Sequence, residues 1–133
     1  MPPKRVAVLD VRDNDKILTP SEQTFLTEEV RASISASGGD ALHVLTGENL
    51  AVLLAEHGKT LEQCTGECEV QTGRLLGADL VVTGSVTRAF GEIHITVRCH
   101  DTGSARLLGQ WRASAPKNRL AGATRAVTGQ LVV

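Results

Sequence analysis

The prediction of the fold starts from one segment, Cys64-Thr-Gly-Glu-Cys-Glu-Val-Gln-Thr-Gly-Arg-Leu-Leu-Gly-Ala-Asp-Leu-Val-Val-Thr-Gly-Ser-Val86. Its first half has the pattern of a short helix, with Thr65 as N-cap and Gly77 as the stop. Its second half, Leu80 to Val86, is predicted to be a fully buried strand. We therefore expect the rest of the chain to be arranged so that it covers this strand.

One residue inside the predicted helix indicates how it packs. Gly73 lies in the helix interior, where glycine is less favourable than alanine by about 1 kcal/mol. We expect the helix backbone to press against a neighbouring element at this position. Leu75 and Leu76 are predicted to pack inward.

The amino-terminal part of the chain predicts a strand, a loop and a helix. Arg5 to Val11 is a β-branched run that is apolar on both faces, as in a central strand, and Arg12 to Lys16 is a polar loop. Thr19-Pro20-Ser21-Glu22 forms a capping box, and Gly38-Gly39 supplies the stop. The apolar residues of this helix recur every four positions with an aromatic beside them: Leu26, Val30, Ile34 and Phe25.

A second strand and helix follow. Ala41 to Leu45 is a short strand, and Thr46 caps a helix that ends at Gly58. One face of this helix carries four residues that are expected to pack together: Leu50, Leu53, Leu54 and His57.

From Leu80 onward the apolar pattern has a period of two and predicts three strands at hairpin spacing. They span Leu80 to Ala89, Glu92 to His100 and Ala105 to Ala115, with turns at Gly91 and Asp101-Thr102-Gly103. The middle strand points Ile93, Ile95, Val97 and Cys99 to one side and His94, Thr96, Arg98 and His100 to the other. One side is expected to face the core, and the other to face solvent or a binding partner. A last helix opens at Pro116-Lys117-Asn118, with Leu120, Val127 and Leu131 roughly in line.

Together these elements predict a single α/β (α+β) domain over residues 1–133. Its order is β-α-β-α-α-β-β-β-α, with helices packed on one mixed sheet of about five strands.

Composition excludes several classes of function. The chain has 14 Lys and Arg against 15 Asp and Glu, and it contains two Phe, one Trp and no Tyr. Duplex binders need a basic excess, and single-strand binders need aromatic faces for stacking. Nucleic acid is therefore not an expected partner.

Localisation stays open at this point. The longest apolar run, Leu50 to Ala55, is far short of the roughly 20 residues of a membrane-spanning helix. No hydrophobic leader and cleavage site precede the first predicted strand. The protein is therefore expected to be cytoplasmic, or exported with its leader removed.

Acidic residues after the first strand are the main candidates for a site. Asp10, Asp13 and Asp15 suggest a small cation site, but the alternating oxygen ligands and central glycine of a dedicated calcium loop are missing. A solvated acidic loop is the better interpretation. The sequence predicts no catalytic constellation, no metal site and no cofactor.

Four arginines on the three-stranded section suggest a basic stripe, with a solvated sheet face as the ordinary alternative: Arg88, Arg98, Arg106 and Arg112.

The cysteines leave two interpretations open. Cys64 and Cys68 are four residues apart, which is not the pair spacing of zinc sites or redox helices. They form a candidate disulfide that pins the start of the third helix, or they are two thiols of which Cys68 is packed. We favour the disulfide, on condition that the protein is exported. Cys99 is expected to be a small core residue.

Several of these segments resemble a known family. They are Val-Ala-Val-Leu-Asp from Val6, Val-Leu-Thr-Gly-Glu-Asn-Leu from Val44, the Cys64-x-x-x-Cys68 pair and Gly-Ala-Asp-Leu-Val-Val-Thr-Gly-Ser from Gly77. The sequence from about Val6 to Trp111 looks like the TolB amino-terminal or curli-assembly (CsgG-like) domain. The resemblance implies an envelope protein of Gram-negative bacteria, periplasmic or outer-membrane-associated, that acts as a binding or assembly module without catalytic residues.

Two functional hypotheses follow. The first is a non-enzymatic module that binds protein partners of an envelope assembly, or further copies of itself as a homo-oligomer. The alternative is a cytoplasmic sensory or regulatory domain that binds a small ligand in the loops after the parallel strands, around Asp10, Asp13 and Thr46.

Overall fold

The computed structural model describes residues 3–46, 52, 55 and 67–130, and two short 3-10 helices, Gly39–Ala41 and Lys117–Arg119, accompany its α-helices and strands. In chain order the α-helices and strands are β1 (Lys4–Val8), β2 (Arg12–Asp13), α1 (Pro20–Gly38), β3 (Leu42–Val44), α2 (Glu67–Leu75), β4 (Leu80–Ala89), β5 (Glu92–Asp101), β6 (Leu107–Ser114) and α3 (Leu120–Gly129). The predicted helix between Thr46 and Gly58 lies outside the described residues, apart from Val52 and Ala55, which are helical.

The described strands form one mixed sheet in the order β3-β1-β4-β5-β6, with β2 paired to β4 beside this path. β1 is parallel to both β3 and β4, whereas β4, β5 and β6 are antiparallel. The predicted mixed sheet with packed helices is confirmed.

The first strand and loop differ from the prediction. β1 ends at Val8, and the segment predicted as a loop contains β2, in which Arg12 lies opposite Ser85. Pairing with β4 is interrupted between β1 and β2, because the Val11 amide donates to Thr27 Oγ1, 3.0 Å away, instead of to a strand. These bonds join residues far apart in sequence, so the local pattern does not indicate them.

α1 begins as predicted. Thr19 Oγ1 accepts from the Glu22 amide at 3.1 Å, and Glu22 Oε1 accepts from the Thr19 amide at 2.8 Å, which completes the capping box. The helix ends before Gly39, whose φ of +53° is favourable only for glycine and a few polar residues. Its inward face is Leu26, Val30 and Ile34, all buried, whereas Phe25 is 56 % exposed.

Two apolar cores lie on opposite faces of the sheet. The larger core packs α1 and α3 against the sheet and includes Val6, Val8, Val82, Val86, Ile95, Val97, Leu120 and Val127. The smaller core lies under α2 and contains Ala7, Leu9, Leu45, Val70, Leu76, Ala78 and Val81. Within β4, Val81, Val82 and Val86 are no more than 2 % exposed, so the predicted interior position of this strand is confirmed.

One predicted contact of α2 is wrong. The buried face of α2 consists of Glu69, Val70, Thr72 and Gly73, and Leu76, directly after the helix, continues it. Leu75 falls outside this face and is 39 % exposed, although the sequence predicted that it packs inward.

Candidate partner-binding surface

A polar sheet surface is the first candidate site. It is the face of β4, β5 and β6 that points away from α1 and α3, and we call it the open face. The strand register aligns residues of the three strands side by side: Ser85 of β4 lies opposite Thr96 of β5, and Thr96 lies opposite Arg112 of β6. The residues of the open face are Thr83, Ser85, Thr87, His94, Thr96, Arg98, His100, Gln110, Arg112 and Ser114.

Two exposed arginines dominate the charge of the open face. Arg98 Nε donates to Gln110 Oε1 at 2.9 Å, and Arg112 Nε donates to Thr96 Oγ1 at 3.4 Å. Each guanidinium is therefore held by a neutral acceptor on the adjacent strand. Neither arginine forms an ion pair within the described part of the chain. Their positive charge is not cancelled, and their terminal nitrogens are available to a partner.

The neighbouring polar residues add to this surface. His94 Nε2 lies 3.3 Å from the Ala89 carbonyl oxygen and 3.9 Å from a Glu92 carboxylate oxygen. Nδ1 of His100 is buried and has no hydrogen-bond partner among the residues that the structure describes. Thr96 is only 7 % exposed, because the Arg112 side chain lies over it.

Only part of the arginine stripe that the sequence suggested as one of two interpretations is present. Only Arg98 and Arg112 lie on the open face. Arg88 is paired with Ile93 and points to the opposite side of the sheet, and Arg106 lies in the turn before β6. Strand alternation, applied residue by residue, separates Arg88 from the other two.

The outer edge of the sheet borders the open face. In the described sheet β6 pairs with β5 alone, so its other side presents backbone groups that can accept a further strand. Leu107 and Leu108 at its start are 45 % and 50 % exposed. The Trp111 ring lies over Gly109, where a Cβ atom would collide with it.

A polar cleft at the carboxyl end of β1 is the second candidate. It has a volume of about 380 Å³, and Asp10 and Asp13 line it together with Gln23, Thr27 and Glu69. The sequence indicated the two aspartates but not the other three, because these belong to α1 and α2. Thr46, the third residue of the predicted ligand loops, is exposed and is not among the described lining residues.

Hydrogen bonds already occupy much of this cleft. The Asp13 carboxylate accepts from the amides of Ile17 and Leu18 at 2.8 and 2.7 Å. Thr27 Oγ1 accepts from the Val11 amide and donates to the Gln23 carbonyl. These groups therefore hold the loop after β1 against α1.

Asp15 also has a structural contact, since its carboxylate accepts from the Arg88 amide at 2.7 Å. Within the described ranges, no three His, Cys, Asp or Glu side chains are grouped closely enough to hold a metal ion. In the same residues, no helix is both long enough and apolar enough to span a bilayer.

Cys99 is a free, buried thiol, as predicted. Burial raises its pKa to about 11, and the nearby Asp101 carboxylate acts in the same direction. Cys64 and the side chain of Cys68 lie outside the described residues, so their disulfide stays a prediction.

Comparison with known proteins gives structural matches only. No family model matches the sequence, and no curated protein matches it. The fold is similar to the LpoB C-terminal domain from Salmonella enterica, with a TM-score of 0.69 and 12 % identity over 88 % of this chain and 85 % of that chain. It is similar to lipoprotein GNA1162 from Neisseria meningitidis, with a TM-score of 0.66 and 15 % identity over 97 % and 96 % of the two chains.

TolB from Acinetobacter baumannii is a third match, with a TM-score of 0.58 and 17 % identity. The match covers 96 % of this chain and 27 % of TolB. At these identities the comparisons establish a shared fold, one that occurs in bacterial envelope proteins. The resemblance to TolB is confirmed at that level, whereas the resemblance to CsgG-like domains stays a prediction.

Proposed function

We propose that this chain is a non-enzymatic module of a bacterial envelope assembly that binds a protein partner through the open face. The observation that carries the proposal is the pair Arg98 and Arg112. Both are exposed, both are held at Nε by neutral acceptors, and neither is paired with an acid in the described residues.

This arrangement favours an acidic protein segment as the partner. A guanidinium fixed at Nε still presents its terminal N–H groups, which match the two oxygens of a carboxylate. The hydroxyls of the partly exposed Ser85 and the exposed Ser114 on the same face supply uncharged donors and acceptors for backbone groups of the partner. The edge of β6 lies beside this surface and can add strand pairing to the same contact.

An envelope location fits this function. The fold is similar to a lipoprotein and to TolB, which supports a periplasmic or outer-membrane-associated protein over a cytoplasmic one. A binding role without catalysis fits the cleft at the end of β1, because Asp13 and Thr27 there are bonded to backbone groups of the same chain.

Site-specific photocrosslinking in the native host tests the proposal. A photoreactive residue at Ser114, exposed on the open face, should give discrete protein adducts, and one at Ser35, exposed on α1, should not. The adducts at position 114 should disappear when R98Q and R112Q are also introduced. Equal adducts at both positions, or stabilisation of the domain by small molecules alone, would contradict a partner on this face.

A further inference from the structure

The hydrogen-bond pattern of β6 determines which of its backbone groups point out of the sheet. The Ala115 amide donates to the Ile93 carbonyl oxygen at 3.0 Å, in register with the pairing of β6 and β5. Bonded and non-bonded pairs alternate along an antiparallel ladder, so Ala113 and Trp111 also direct their N–H and C=O groups toward β5. The residues between them direct these groups to the outer edge: Gln110, Arg112 and Ser114.

The residues with outward backbone groups are also the β6 residues of the open face. A strand added at this edge would place its residue opposite Arg112 on the open face, because paired residues of neighbouring strands share a face. Neither Arg112 nor Arg98 forms an ion pair within the described residues. A carboxylate on the added strand is therefore favoured at this position, and a lysine or arginine is disfavoured.

The opposite face of the same edge is apolar. Trp111 and Ala113 are half-buried and pack beside the larger core. Every second residue of an added strand would lie next to these two side chains and cover their exposed part. Leu107 and Leu108, which are 45 % and 50 % exposed, add apolar surface at the start of β6. The edge therefore matches a segment in which acidic and apolar residues alternate.

We propose that the partner of the open face is an extended segment of alternating acidic and apolar residues that pairs with β6 as an added antiparallel strand. The inference rests on the proposed function and specifies the partner of the same surface. Antiparallel pairing continues the arrangement of β4, β5 and β6 and is slightly more stable per residue than parallel pairing. Backbone hydrogen bonds supply affinity, and the alternation of side chains supplies specificity.

A capped synthetic peptide, Val-Thr-Val-Glu-Val-Glu-Val, tests the inference on the purified protein. In antiparallel register its first glutamate lies opposite Arg112 and its second opposite Gln110, in the row of Arg98. Trp111 is the only tryptophan of the chain, so its fluorescence reports the binding of valines beside it. The wild-type protein should bind this peptide saturably. A peptide with lysine in place of both glutamates should bind at least about tenfold more weakly.

N-methylation of the peptide distinguishes strand addition from side-chain contacts alone. The amide of the first glutamate points at β6, so its N-methylation removes a hydrogen bond and should weaken binding by at least about tenfold. The amide of the preceding valine points to solvent, and its N-methylation is the matched control. The peptide methylated at valine should bind like the unmodified peptide.

Two variants of the protein test the same contact from the other side. Ser114→Pro removes an outward N–H group and no bond to β5, a position where an edge strand tolerates proline. Its affinity for the peptide should be lower than that of Ser114→Ala, which lacks the hydroxyl but keeps the N–H group.

A wild-type protein that does not bind the peptide, equal affinities for the two N-methylated peptides, or equal affinities of Ser114→Pro and Ser114→Ala would each overturn strand addition. The open-face proposal would then still stand, because its adducts at position 114 depend on Arg98 and Arg112 and not on strand pairing.

Discussion

Gly73 in α2 packs directly onto Val81 in β4. A Cβ atom on Gly73 would lie 3.1 Å from Val81 Cβ and 2.7 Å from Thr102 Cγ2. Thr102 is itself fixed, because its hydroxyl donates to the Ala78 carbonyl at 2.6 Å. The contact joins the covering helix, the buried strand and the β5–β6 turn at one point.

The methyl group added by Gly73→Ala enters a filled site, which costs about 1 to 3 kcal/mol. The gain in helix propensity offsets about 1 kcal/mol of this cost, so the free energy of unfolding is expected to fall by up to about 2 kcal/mol. The midpoint of urea unfolding measures the change.

Gly122→Ala is the matched control, since it makes the same change in helix α3. The nearest atom to its Cβ would be Arg125 Nη2, at 3.8 Å. This variant should be more stable than the wild type by about 0.5 to 1 kcal/mol. A Gly73→Ala protein that also gained stability would show that the helix does not press on β4.

Asp101 is expected to make stability depend on pH in acid. Hydrogen bonds from the Ser104 and Gly103 amides lower the pKa of this carboxyl from its ordinary value of 3.8. Because the folded pKa is the lower one, the stabilisation is present above pH 3.8 and is lost as the pH falls through the folded pKa. Asp101→Asn should therefore have a lower urea midpoint than the wild type at pH 7, and the difference should shrink in acid. If the two urea midpoints differed by the same amount at pH 7 and at about pH 2.5, the hydrogen bonds to Asp101 would not be the source of this pH dependence.

Thiol titration tests the predictions about cysteine. Cys99 is buried and its pKa is raised to about 11, so at pH 8 it should react slowly with an aromatic disulfide reagent in the folded state and quickly after unfolding. If Cys64 and Cys68 are bridged, unreduced protein that is then unfolded shows one thiol in total, Cys99. Three thiols would exclude the disulfide.

Much of the fold could be predicted because the deciding interactions are local. The Thr19 and Glu22 capping box lies within one turn, so sequence spacing alone locates the start of α1. Strand alternation placed β4, β5 and β6 within about two residues, since a period of two is imposed by the backbone.

The remainder depends on contacts that are distant in sequence. β2 exists because Arg12 and Asp13 pair with Ser85 and Val86, more than 70 residues later. The positive φ of Phe90 likewise depends on the pairing of β4 with β5, which places this residue at the tip of the hairpin.

The β5 residues of the open face could be predicted from the sequence, whereas their neighbours on β6 could not. The alternation within β5 identified His94, Thr96, Arg98 and His100 as one side of the strand. Its partners on β6 follow from the register, which a bulge between Cys99 and His100 shifts. Burial of Thr96 beneath Arg112 depends on a side-chain contact that spacing does not indicate.

The affinity of purified variants for the crosslinked partner measures how much Arg98 and Arg112 contribute to binding. Isothermal titration should show that R98Q/R112Q binds at least about tenfold more weakly than the wild type, because two charge-assisted contacts are lost. The control R106Q/R119Q removes the same charge from exposed positions off the open face and should bind like the wild type. Equal affinities for the two double variants would contradict a partner held by Arg98 and Arg112.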